Sequence, residues 1–404
     1  MIWLVGAALA QDCVVIDGVN AYLPEGPRPA TVIVLGGTIA HVGPRPADLR
    51  LGDARADWKG RACALVPGGG KTLTAGLIAT GTQLGIVEIG LESDTRDDDA
   101  GDADPIRASM RVSDGYNPRA TAIPVTRLGG VTSAEIEPGG GRISGRAGFV
   151  SLAGTSNAAS VIKPVVAMRV GLDGALPGAL DDLRQILDAA RRYAAKRAAW
   201  GPADIAPDGV TALDLEALQP VLRGEVPLIA GADRAVDIEA WVRFGQDERV
   251  RVIVDGGAEA WLVAGPLAAA GVPVIVDPYV YGPGGFDQVY GRPDNAARLV
   301  AAGVLVVIGA HDTANARNLR QAAGNAVRGG LDHTAAITAI TAAPAAVFGL
   351  PERGRIAPGA VADLVLWSGD PLEISSAAEH VWIGGVDQPL ISRQTLLRDK
   401  YLGR

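Results

Sequence analysis

The sequence predicts an α/β protein in which repeating strand–helix units form a parallel sheet, flanked by a smaller antiparallel sheet to which both ends of the chain contribute. Three observations predict it. In the second half of the chain, short unbroken apolar runs alternate with segments rich in Ala and Leu, and unbroken apolar runs mark strands covered on both faces. Residues 13–42 instead alternate apolar and polar side chains around a Gly36-Gly37 pair, the pattern of a β-hairpin. Near the other end, Ala362-Asp-Leu-Val-Leu-Trp367 and His380-Val-Trp-Ile383 are again short β-type runs bounded by Gly, Pro and Asp.

Taken in order, the hairpin joins Thr31-Val-Ile-Val-Leu35 to Thr38-Ile-Ala-His-Val42. Segments 73–90, 131–137 and 148–153 supply the next strands, and Val165–Leu172 followed by the helical Ala179–Arg197 adds a further unit. The clearest alternation follows. Its strands are Val226-Pro-Leu-Ile-Ala230, Val250-Arg-Val-Ile-Val254, Val272-Pro-Val-Ile-Val276 and Val304-Leu-Val-Val-Ile308, and its helices are Val236–Phe244, Ala258–Ala270, Asn295–Ala302 and Arg317–Arg328. Such units favour a parallel sheet, open or closed. The acidic stretch Asp94–Asp104 reads as a solvated loop, because the spaced ligands and terminal Glu of a calcium loop are missing.

With 404 residues, 48% hydrophobic and 20% charged, the chain can bury a large core. The net charge is −8 and the arginines are scattered among acids, so no nucleic-acid partner is expected. Met1–Ala10 is a short apolar run ending Ala-Leu-Ala before Gln11-Asp12, which has the small-x-small character of a signal-peptidase site. The expectation is an exported, periplasmic protein, the alternative a cytoplasmic one with an apolar N-terminus. No other run approaches the ~20 apolar residues of a membrane span. Cys13 and Cys63 both fall in β-type segments. They pair in an oxidising compartment or stand as two buried thiols, and spacing alone does not decide.

Several motifs fail on inspection. Pro67-Gly-Gly-Gly-Lys-Thr72 resembles the end of a phosphate-binding loop, but Leu65 stands where that loop needs its first Gly, leaving a tight turn. Gly139-Gly-Gly-Arg-Ile-Ser-Gly145 has Ser144 in place of the third Gly of a dinucleotide fingerprint. No Gly-x-Ser-x-Gly elbow occurs, and only four histidines exist, His41, His311, His333 and His380, too few for a His-rich metal cluster.

Two stretches carry a family resemblance: Leu73-Thr-Ala-Gly-Leu-Ile-Ala-Thr-Gly-Thr-Gln-Leu-Gly85, and Ala342-Ala-Pro-Ala-Ala-Val-Phe-Gly-Leu350 running through Gly354-Arg-Ile-Ala-Pro-Gly-Ala-Val-Ala-Asp-Leu-Val-Leu-Trp-Ser-Gly-Asp-Pro371. They are similar to the amidohydrolase superfamily, specifically its imidazolonepropionase-like and exported members. Asn315-Ala-Arg-Asn-Leu319 and Gly271-Val-Pro-Val-Ile-Val276 match in order and spacing. The resemblance implies a (β/α)₈ TIM-type barrel over 73–349 and a composite β-sandwich from 11–72 and 350–404. It also implies metal-dependent hydrolysis of amide and other C–N bonds, in which zinc or another divalent ion activates water and polarises a carbonyl.

Carried over position by position, the implied ligands are absent. The His-x-His of strand one falls at Gly81 and Gln83, and the carbamylated lysine of strand four near Arg169. The strand-five histidine falls at Gly231 or Asp233, the strand-six histidine at Gly256, and the aspartate after strand eight at His311, beside Asp312. Since zinc needs three or four donors, the expectation is a barrel without a cofactor that acts as a non-catalytic partner or ligand-binding module. Gln83, Glu135 and Arg169 would line its pocket for a small amide or peptide, and it would assemble with itself or with an active amidohydrolase. The alternative is a working hydrolase of cyclic amides or dipeptides, with His311, Asp312 and Asp233 as acid–base groups beside Glu135. Structural roles compete with each: a salt bridge from Asp233 to Arg234, a loop cap for Glu135, an N-cap for Asp312 and a rim position for His311.

Overall fold

The computed structural model describes residues 12–99, 106–171, 175–201, 204, 206–207, 209–279 and 282–403. The export segment expected at Met1–Ala10 and the end of the acidic stretch, residues 100–104, lie outside the described residues.

The chain opens with β1 (Cys13–Leu23), β2 (Gly26–Leu35), β3 (Thr38–Gly43), β4 (Leu49–Leu51), β5 (Arg55–Trp58), β6 (Arg61–Pro67) and β7 (Thr72–Ala75). Gly36 and Gly37 have φ of +55° and +84°, the two positive values that a tight two-residue hairpin demands and only glycine adopts freely. Eight strands follow: β8 (Leu77–Thr82), β9 (Val131–Ile136), β10 (Ile143–Ser151), β11 (Val161–Val170), β12 (Leu228–Ala232), β13 (Val252–Gly256), β14 (Val274–Val276) and β15 (Val306–Ile308). The last strands are β16 (Leu364–Trp367), β17 (Ala378–Ile383) and β18 (Val386–Asp387).

The first and last groups form one ten-stranded sheet, ordered β18-β17-β16-β7-β1-β6-β5-β4, with the β2–β3 hairpin branching from β1. The two ends of the chain meet where β16 pairs antiparallel with β7, Leu364 opposite Ala75. Trp367 locks this seam to the second sheet. Its indole N–H donates to Thr74 Oγ1 at 2.9 Å, and its ring covers Gly130, where a Cβ would lie 2.4 Å from a ring carbon.

The second sheet orders β8 to β15 in sequence, and the backbone N–H of Ala310 donates to Thr80 O at 2.9 Å, drawing the two edges together into a nearly closed barrel. One strand departs from the all-parallel expectation: β10 runs antiparallel to both β9 and β11. The connections explain it. Residues 137–142 join β9 to β10, and 152–160, with one helical turn at Asn157–Ser160, join β10 to β11; both are shorter than the dozen or more residues a parallel crossover needs.

Strand alternation divides the barrel's side chains into two layers. Ile78, Phe149, Ala167, Ile229, Ile253, Ile275 and Val307 form one buried cluster, capped by Val347 and Phe348, which fills the interior floor. Their neighbours Leu228, Val252, Val254, Val274 and Val306 join a larger cluster with the surrounding helices, among them Leu176–Lys196 and Ala235–Glu248. Among the described residues no helix is long and apolar enough to cross a membrane.

The described part of the acidic stretch is mostly exposed, as expected of a solvated loop, with one exception: Asp98 is fully buried and accepts from Arg96 Nη2 at 2.9 Å and Gln83 Nε2 at 2.8 Å. The open question of the cysteines also closes. Parallel pairing of β1 with β6 sets Val14 opposite Ala64, which brings Cys13 and Cys63 to a Cα separation of 4.6 Å as a disulfide. Because the bond spans a sequence separation of 50, its removal in Cys13→Ala/Cys63→Ala should lower unfolding free energy by about 2–4 kcal/mol. Denaturant melts of the variant and the oxidised protein check this; coincident curves would show that the cross-link contributes nothing.

Candidate functional site

Two residues beyond the apolar floor, the inward face of the same strands turns polar. Ala167 is followed on that face by Arg169, Ile229 by Gly231, Ile253 by Asp255, Ile275 by Asp277, Val307 by Gly309 and Ser133 by Glu135, as the two-residue strand period requires. The C-terminal ends of the parallel strands thus present these residues together, where barrels build their sites.

A guanidinium sits at the centre of the layer. Arg169 Nη1 donates to Asp255 Oδ2 at 2.6 Å and to Glu137 Oε2 at 3.3 Å. The other oxygen of Asp255 lies 2.8 Å from His311 Nε2. Glu135 Oε2 accepts the backbone N–H of Gly81 at 2.8 Å, while the buried Oε1 has no partner among the described residues. His311 itself has φ +43°, an uncommon backbone for a residue with a Cβ.

Burial and charge sort the protonation states. Burial raises Glu135 well above the usual glutamate range, with the neighbouring Glu137 adding to it. Burial also pushes Glu137 up to about 7, against the pull of Arg169. Burial would raise Asp255 as well, but the His311 hydrogen bond and the Arg169 charge outweigh it and hold that carboxyl well below its usual range. His311 is raised in turn, the Asp255 partner overcoming burial. The layer therefore holds a charged Arg169 and Asp255, a Glu137 near its midpoint at neutral pH, a Glu135 shifted towards its neutral form and a His311 shifted towards its protonated form.

Three glycines lie at positions that the resemblance assigns to histidines, and two of them, Gly81 and Gly256, make room for this arrangement. A Cβ on Gly81 would stand 3.1 Å from His311 Cδ2, one on Gly256 2.7 Å from Asp233 Oδ1, and one on Gly231 3.6 Å from Arg169 Nη2. Above them opens a cavity of about 400 Å³, lined by Arg169, Asp255, Asp277 and His311 together with Asp233, Asp287 and Gln288.

The structure brings together His311, Arg169 and Glu135 among the residues singled out by sequence, and Asp233 joins them on the cavity wall. Asp233 accepts from Ala258 N at 3.0 Å and from Gln288 Nε2 at 2.8 Å; Arg234 pairs with Asp237 instead. Asp312 is not brought in. It caps the following helical turn by accepting from Asn315 N at 3.1 Å, because the left-handed turn at His311 sends the two neighbours in different directions. Gln83 faces Asp98 rather than the cavity. Asp255 and Glu137 were missed, although counting two residues from Ile253 along its strand would have found Asp255.

The profile described as Amidohydrolase family matches residues 263–386. Amidohydrolase tasK of Hapsidospora irregularis is 26% identical over 369 residues, 79% of this chain, and the chain spans only 36% of that relative's length. Among solved structures, an amidohydrolase from Thermotoga maritima MSB8 superposes with a TM-score of 0.81 at 23% identity, covering 93% of this chain and 99% of the other. A β-aspartyl dipeptidase from Fervidobacterium islandicum AW-1 does so at 0.52 and 15% identity, over 93% and 96% of the two chains. The profile match, the overlapping sequence relative and the barrel agree in likening this chain to the amidohydrolase superfamily.

Two tests address the site's electrostatics. Glu137 has its folded pKa raised from 4.5 to about 7, so its contribution to stability is fully present below 4.5 and is lost as pH rises through about 7. Melting temperature should fall across that window, and Glu137→Gln should flatten the slope; an unchanged slope would remove the group from this account. Arg169→Met removes the cation that Asp255 and Glu137 share, leaving Asp255 only His311, and should cost about 3–5 kcal/mol, measured by denaturant unfolding against Arg169→Lys, which keeps the charge.

Proposed function

We propose that this amidohydrolase-fold protein organises its barrel mouth around a guanidinium instead of a divalent cation, and binds a small amide or peptide ligand without metal-dependent hydrolysis. The observation that carries the reading is Arg169, held 2.6 Å from Asp255 and 3.3 Å from Glu137 at the place where the resemblance puts the bridging lysine. The donor set does not fit zinc. Both oxygens of Asp255 are engaged, by Arg169 and His311, and a dication would meet the fixed positive charge of the guanidinium. Among the described residues no three His, Cys, Asp or Glu side chains gather in metal-binding geometry.

Fold and chemistry separate readily in barrels, because the floor and the mouth are different residues. The cavity, about 400 Å³, falls within the ~300–1,000 Å³ typical of small-molecule sites. We read the protein as exported and periplasmic, a reading supported by the Cys13–Cys63 disulfide, since such cross-links persist in oxidising compartments. Self-assembly, or assembly with an active amidohydrolase, belongs to the same reading.

Elemental analysis of protein purified without chelator should find zinc, manganese and iron far below one equivalent, and added zinc should leave the melting temperature unchanged, whereas a specific ligand at 100 times its Kd would add about 2.7 kcal/mol. One or two tightly held equivalents of metal would overturn the proposal. So would turnover of dipeptides or cyclic amides that disappears in His311→Ala, which would make the His311–Asp255 pair a working acid–base dyad.

A further inference from the structure

The cavity carries charges of both signs, and some are left open by the protein itself. Arg169 engages its carboxylate partners through Nη1 alone; Nε and Nη2 donate to no group among the described residues, and Nη2 lies over Gly231 on the cavity wall. Of the wall aspartates, Asp237 is tied on both oxygens by Arg234 and Asp233 on both by Ala258 N and Gln288. Asp277 uses only Oδ1, for Tyr279 N at 2.9 Å. Asp287, exposed on its loop, feels the more distant charge of Arg234 but makes no hydrogen bond or close ion pair among the described residues.

One guanidinium edge and two carboxylates therefore await a ligand. We infer that the cavity binds a small amino-carboxylate, its carboxylate on the Nε–Nη2 edge of Arg169 and its ammonium between Asp277 and Asp287; the inference rests on the reading above that no divalent cation organises the mouth. The chemistry discriminates between candidates. Two parallel N–H groups match the two oxygens of a carboxylate, and an ammonium offers three donors to acceptor-only aspartates. A plain anion would be repelled by Asp277 and Asp287, a plain cation by Arg169, and a neutral amide would leave both sets of charges unanswered.

The probes are γ-aminobutyrate, δ-aminovalerate and ε-aminocaproate, titrated calorimetrically into the full chain alongside n-butylamine and n-butyrate. At least one amino acid of the series should bind about tenfold or more tighter than either control. Asp287→Asn, on an exposed loop, and Asp277→Asn should each weaken that amino acid about tenfold while n-butyrate, relieved of a like charge, binds no more weakly than before. Arg169→Lys should weaken it while leaving n-butylamine unaffected. Metal-free protein that binds the amino acids no better than the controls, or an Asp287→Asn variant with unchanged affinity, overturns this inference and leaves the preceding reading standing. Stoichiometric metal in the same preparation overturns both.

Discussion

The contact between Arg169 and Asp255 sets the terms for everything else at the barrel mouth. A guanidinium brought this far out of water must be neutralised, and Asp255 does so while its second oxygen draws His311 into place. With that pair fixed, the ionised state of Asp255 is settled, Glu137 shares the same cation, and Glu135, deeper and without a cation of its own, is driven to its neutral form. The glycines at 81 and 256 are the steric counterpart of the same constraint, leaving room for His311 and Asp233 where a Cβ would crowd them.

Energetically the arrangement resembles other buried ion pairs, in which breaking one partner is far more damaging than the intact pair is stabilising. Its importance lies in specifying a charge pattern. The floor below is apolar and packed by one side chain from most strands, with Phe348 beneath, so the polar layer rests on a rigid base and its groups keep their spacing without a bound ion.

Much of this was legible in the sequence, for identifiable reasons. Strands β12 to β15 announced themselves because strands buried on both faces are written as unbroken runs of Val, Ile and Leu. The hairpin at Gly36-Gly37 was legible because two successive positive φ values leave few alternatives to glycine. The direction of β10 was not, since strand polarity is set by how far the linking segments reach rather than by strand composition. At the site, Arg169 and His311 stood out as unusual residues at strand ends, whereas Asp255 looked ordinary until the inward face of β13 was known. Asp312 misled because adjacency in sequence to His311 does not survive a left-handed turn.

The reversed strand has a consequence for how the pocket can accommodate molecules of different size. Because β10 runs back from the mouth, β9 and β10 are joined there by residues 137–142 alone, and that segment is pinned along its length, Glu137 N to Thr82 O at 2.9 Å, Gly139 N to Asp98 O at 2.9 Å and Gly171 N to Arg142 O at 3.0 Å. The Glu137 side of the pocket is consequently a fixed template. The opposite wall is supplied by Asp277, Asp287 and Gln288, from the segment after β14, so a substitution there would reshape the cavity while leaving the Glu137 template as it stands.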